Sequence, residues 1–102
     1  MNFNYKPIPE NLEIKQSDIH GLGLFAKQDF ESGFVFGLSH LKISYITEWI
    51  RTPIGGFVNH SKLPNCVLVK RINWDKIVLI DLVAMVDIKN GDELTLKYSL
   101  EQ

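Results

Sequence analysis

The sequence predicts a small, mostly-β fold of short strands, and three observations predict it. Apolar and polar residues alternate over short runs, as in Leu12-Glu13-Ile14-Lys15 and again over Glu93 to Tyr98. Turn residues return about every eight to twelve positions, the rhythm of a fold built from short strands. One corner pattern occurs twice: Ala26, Asp29, Phe30, Gly33 and Phe36 match Ala84, Asp87, Ile88, Gly91 and Leu94 at the same spacing. Each copy reads as a strand end, a tight corner and a return strand. Two copies are fewer than the roughly three that a solenoid needs, so they suit two similar corners in one compact fold.

In chain order, residues 1–11 read as an extended arm with Pro7 and Pro9, and with Phe3 and Tyr5 available to pack down. The single domain then runs over 12–102. Leu12 to Lys15 is the first strand and Ser17 to Gly23 a loop with turn residues at both ends. Leu24-Phe25-Ala26 begins a second strand, Asp29 to Gly33 turns, and Phe34-Val35-Phe36 makes a third. Over 39–52 two periods compete. Leu41, Ile43 and Tyr45 alternate with Lys42 and Ser44, whereas Ile43, Ile46 and Ile50 fit one helical face; the strand reading is preferred.

Further on, Gly55-Gly56-Phe57-Val58 leads into Asn59-His60-Ser61 and ends at Pro64-Asn65. Glycines allow close backbone approach, the apolar pair turns toward the core, and three hydrogen-bonding side chains follow where the apolar run stops. By residue type alone this is an ordinary polar turn between strands. Cys66 to Val69 is a buried-strand candidate, Asn73-Trp74-Asp75 a turn, and Lys76 to Met85 an apolar strand with Asp81 as its one charge; together they read as a hairpin. Asn90-Gly91-Asp92 makes the last tight turn.

Composition bounds function. The chain has 102 residues, 45% hydrophobic and 23% charged, which is the balance of a globular domain rather than a disordered one. Eleven basic against twelve acidic residues leave a net charge of −1, which argues against a broad nucleic-acid or membrane surface but leaves room for a local patch. No apolar run approaches the ~20 residues of a membrane span, and the N-terminus lacks a signal-peptide apolar region. A lone cysteine, Cys66, permits neither an internal disulfide nor a cysteine-rich zinc cluster and reads as a small buried hydrophobe. An intracellular setting is the expectation. His20 and His40 read as solvent-facing loop residues.

Three pieces in order carry a resemblance: Gly21-Leu22-Gly23, the Asn-His-Ser-x-x-Pro-Asn run at 59–65, and Glu93-Leu94-Thr95 ending in Tyr98. Any one is weak. Together, spread over 21–98, they resemble the SET-domain family of protein-lysine methyltransferases. That resemblance implies a β-clip of short curved strands with a threaded C-terminal segment. It also implies S-adenosylmethionine as cofactor, held by Gly21, Leu22, Gly23, Asn59 and His60, and a lysine-containing protein or peptide as substrate. Tyr98 matches the family's catalytic tyrosine. Tyr45 lies where the family often draws a second hydroxyl for the lysine channel, although no motif fixes that alignment. Arg51 stays open between a surface charge and a partner for an acidic cofactor group.

The chemistry so implied is an alignment problem. A free lysine has a pKa of ~10.4, so the site must accept it deprotonated, and desolvation beside a positive sulfonium favours that form. Holding nucleophile, methyl carbon and sulfur in line can contribute ~7–11 kcal/mol without metal or covalent intermediate. The match departs from the family in two places. Lys62 stands where many members place a zinc-binding cysteine, and Ser99-Leu100-Glu101-Gln102 is a short tail without an aromatic residue. Either the lysine channel is open or a second copy or a partner closes it, and the short tail suggests a homodimer. The other readings are a non-catalytic SET homologue that binds a protein partner and a structural β-clip without cofactor.

Overall fold

The computed structural model describes residues 8–43 and 48–97. The fold is mostly strand. β1 (Leu12–Gln16) and β2 (Leu22–Ala26) form an antiparallel pair in register from Leu12↔Ala26 to Gln16↔Leu22. β3 (Val35–Ile43), β4 (Ile50–Arg51), β5 (Asn59–Ser61), β6 (Cys66–Trp74), β7 (Ile77–Ala84) and β8 (Thr95–Lys97) form a second sheet in the order β4-β3-β7-β6-β8-β5. A five-residue helix, α1 (Pro53–Phe57), the one helix among the described residues, joins β4 to β5. Leu12, Leu24, Ala26, Phe30, Phe36, Leu82, Ile88 and Leu94 lie at the centre of the core, with Ile8 and Phe57 packed against it.

The duplicated corner of the sequence is a reciprocal pair in space. Phe30 and Ile88 exchange backbone hydrogen bonds of 2.7 and 2.8 Å. The Gly33 amide donates to the Ala84 carbonyl and the Gly91 amide to the Ala26 carbonyl, both at 2.8 Å. Each aspartate then braces the other corner: Asp29 Oδ1 accepts from the Asn90 amide at 2.8 Å and Asp87 Oδ1 from the Ser32 amide at 2.9 Å. Gly33 and Gly91 turn at φ +96° and +95°, a region that residues with a side chain rarely adopt.

The threading that the resemblance implies is built by β8. It inserts between β5 and β6 and runs parallel to both, while residues 62–65 carry the chain across it. Asn65 fastens the crossing. Its Nδ2 donates to the Glu93 carbonyl and its Oδ1 accepts from the Thr95 amide, each at 2.8 Å. Cys66, directly after the crossing, is buried, and burial pushes its thiol up to about 12, which agrees with its reading as an inert small hydrophobe.

Several expectations change. Residues 53–57 are helix rather than turn, because Thr52 caps it and Pro53 fits the first helical position. The strand reading of 39–43 holds as the continuation of β3, and Ile43 and Ile50 sit on different strands instead of one helical face. The hairpin of β6 and β7 forms around Asp75-Lys76, but Val67 and Val69 are 40% and 44% exposed, so only Cys66 of that candidate core strand is buried. His40 lies in β3, half-buried, and not in a solvent-facing loop.

Candidate functional site

The site grows from the short helix. Thr52 Oγ1 donates to the Leu38 carbonyl at 2.6 Å and accepts from the Gly55 amide at 3.4 Å, while the Thr52 amide donates to the Ser39 carbonyl at 3.0 Å. These bonds press α1 against β3 so closely that a side chain on Gly55 would overlap the Ser39 carbonyl. Close approach here needs glycine. The chain then leaves the helix through buried Val58 and presents Asn59 and His60 on β5, the edge strand of the sheet.

The three motif segments meet at one carboxylate. Glu93 accepts from Ser17 Oγ at 2.7 and 2.9 Å and from Asn59 Nδ2 at 2.8 Å. Asn59 Nδ2 also faces the carbonyls of His20 and Leu22 at 3.1 and 3.2 Å. Gly23 lies beneath, and the Glu93 carboxylate occupies the place that a Cβ at residue 23 would take. Hydrogen bonds to an ionised acceptor are the stronger kind, so this cluster fixes the loop 17–23 against β5 and the turn before β8.

Beside the cluster opens a cavity of about 610 Å³ whose walls include Ile19, His20, His40, Arg51, Asn59 and His60, with Leu68 and Leu96 at its base. No Asp or Glu lines it among the described residues. Ser39 Oγ and His40 Nδ1 share a hydrogen bond of 2.6 Å, which orients the imidazole. Burial first, then Arg51 and His60, hold the His40 pKa below its ordinary value. Three histidines share this wall, yet among the described residues no three His, Cys, Asp or Glu side chains converge as metal ligands.

Of the expected cofactor contacts, Asn59 and His60 line this cavity. Gly21, Leu22 and Gly23 flank it: Gly21 turns at φ +48° in open space, Leu22 is exposed, and Gly23 serves Glu93. Tyr45 and Tyr98 lie outside the described residues. Sequence reasoning missed three participants. In the sequence Ser17 reads as a turn residue and Glu93 as one position of a motif. His40 carried a usable signal, since the alternation that marks 39–43 as strand puts His40 and Lys42 on the face opposite Leu41 and Ile43.

Comparison with known proteins agrees with this geometry. A family model described as the SET domain matches residues 39–99. The crystal structure of a candidate histone methyltransferase from Plasmodium falciparum superposes with a TM-score of 0.71 at 20% identity, covering 92% of this chain and 97% of that one. At such identity the likeness speaks for the fold. No curated protein matches the chain in sequence.

Proposed function

Because the chain belongs to the SET-domain family, we propose that it transfers a methyl group from S-adenosylmethionine to a lysine side chain of a protein substrate. One observation carries this reading: the Gly-x-Gly, Asn-His and Glu-Leu-Thr segments, distant in sequence, meet at the Glu93 carboxylate on the rim of a single cavity.

The residues suit the cofactor. The cavity volume lies within the ~300–1,000 Å³ of small-molecule sites. Asn59 spends its amide N–H groups on the loop and on Glu93, leaving Oδ1, among the described residues, as an acceptor for an ammonium such as the cofactor's amino group. When bound, the sulfonium supplies an electrophilic methyl group. The protein's own part is to hold the amine neutral and aligned. The surroundings that disfavour protonated His40, burial and the Arg51 cation, disfavour a protonated lysine at that end of the cavity in the same way, so lysine enters as the free amine, while Asn59 Oδ1 meets the cofactor's ammonium. Tyr98, next in sequence after β8, is proposed as the hydroxyl that orients that amine, and Tyr45 as a second one.

The test is calorimetric titration of S-adenosylmethionine into the protein, beside a Gly56→Val variant. Position 56 lines the cavity and a Cβ there meets no atom within 4 Å, so the variant narrows the cavity from an open position. Saturable binding that the variant loses while keeping its unfolding midpoint supports the proposal, and labelled methyl transfer to protein lysine then completes it. Absence of binding at millimolar cofactor overturns it.

A further inference from the structure

A second cavity, of about 310 Å³, adjoins the first and shares His40, Arg51 and Leu68 with it. Trp49 and Ile80 complete its walls. In an antiparallel ladder, directly paired residues project to the same face. The register therefore lays a row Arg51–His40–Ile80–Lys70 across β4, β3, β7 and β6, with Lys42–Val78–Asn73 as the next row on the same face. That face carries three cations, Arg51, Lys42 and Lys70, beside the His40 ring, and these rows hold no carboxylate among the described residues. Asp81 belongs to the opposite face, where Arg71 engages both its oxygens at 2.8 and 3.0 Å. The asymmetry is sharp for a chain whose net charge is −1.

Trp49 is set among these cations. The Lys42 ammonium lies 5.5 Å from its ring centroid, and the His40 ring meets it edge-on at 6.3 Å. Trp49 remains 44% exposed. Exposed aromatic surface beside Leu68 and Ile80, ringed by positive charge, complements a chain that is both apolar and acidic. It opposes a basic one, since like charges brought together across an interface cost several kcal/mol.

We propose that this second cavity receives the residues flanking the target lysine and selects acidic and apolar neighbours over basic ones. The inference rests on the methyltransferase reading for the identity of the lysine, and it excludes lysine- and arginine-rich tails as preferred substrates. Arg51 is the specificity-determining residue, because it is the cation shared by both cavities. Nucleic acid is the other anionic polymer that a basic face with one aromatic ring would meet. A 310 Å³ recess with apolar floor, opening onto the transfer cavity, favours a peptide side chain over a run of phosphates.

The experiment uses the full chain carrying Trp74→Phe. Trp74 is 76% exposed at the hairpin turn, and its removal leaves Trp49 as the sole tryptophan and a local reporter. Nine-residue peptides with a central lysine, flanked either by Glu, Asp and Leu or by Lys and Arg, are titrated against Trp49 fluorescence. The acidic peptide is expected to bind about tenfold tighter or more at low salt, with the difference shrinking as salt rises. In Arg51→Glu the preference is expected to reverse, and in Arg51→Gln to fade. Equal or tighter binding of the basic peptide overturns the proposal, as does a short single-stranded RNA that shifts Trp49 at lower concentration than either peptide. Cofactor binding is read separately by calorimetry. A protein that binds S-adenosylmethionine yet prefers the basic peptide refutes this inference alone.

Discussion

The Glu93 carboxylate fills the space that any side chain on Gly23 would need. Gly23 is thus a glycine for the sake of a residue seventy positions away, and the Gly-x-Gly and Glu-Leu-Thr segments are two halves of one packing arrangement. Gly23→Ala is expected to push the carboxylate off Ser17 and Asn59 and to cost about 1.5–3 kcal/mol, the range for a lost hydrogen bond to a charged group. In a Glu93→Ala background the same Gly23→Ala change meets no carboxylate and should cost much less. Urea unfolding of the four proteins in that cycle measures the coupling. Simple additivity would mean that the two residues do not share this space.

Gly55 and Gly56 are neighbours in sequence and opposites in consequence. A methyl group at 55 meets the Ser39 backbone carbonyl, which cannot rotate away, whereas one at 56 meets nothing within 4 Å. Gly55→Ala should therefore separate α1 from β3 and cost about 1–3 kcal/mol, the range for overpacking. Gly56→Ala should be neutral or stabilise by up to about 1 kcal/mol, as helical glycine-to-alanine changes do. Thermal unfolding of the two variants decides, and equal effects would contradict the geometry.

Why Gly55 matters is not legible in the sequence, whereas much of the fold is. Strand after strand follows local alternation, and the repeated Ala, Asp and Gly spacing announced the two corners before their pairing was visible. What sequence could not supply was partnership at long range. Asn59 reads as a ligand contact, yet its amide N–H groups are committed to His20, Leu22 and Glu93. His40 reads as a surface residue because nothing nearby in sequence marks Arg51 and His60 as its company. The exposed valines of β6 mislead for the converse reason: strand propensity says apolar, while β8 covers that strand only at Cys66.

The environment of His40 sets a pH dependence with a definite sign. Its folded pKa lies below the ordinary histidine value of 6.5 through burial first, then through Arg51 and His60. Between the folded and unfolded values the unfolded chain binds a proton that the folded chain refuses, so stability rises with pH there. The His40 contribution is intact above pH 6.5 and declines as pH falls through 6.5 toward the lowered folded value. His40→Asn, which keeps a polar atom toward Ser39, should flatten the decline in unfolding temperature between pH 7 and pH 5. Arg51→Gln should move the NMR titration of His40 upward by removing one of the three causes. Superimposable pH profiles for wild type and His40→Asn would refute the assignment.

The reciprocal corners predict paired responses. Asp29 and Asp87 each accept one backbone N–H from the opposite corner, at 2.8 and 2.9 Å. Since both bonds are solvent-exposed, each aspartate-to-alanine change should cost about 0.5–1.5 kcal/mol, and the two costs should be alike. Gly33→Ala and Gly91→Ala should form a second matched pair, each losing about 1–2 kcal/mol because alanine is strained at positive φ. Equilibrium unfolding of the four single variants tests the symmetry directly. If one corner tolerates its changes while the other does not, the sequence repeat reflects only similar local turns, and the corners do not act as the mutual brace that holds β2, β3, β7 and the approach to β8 together.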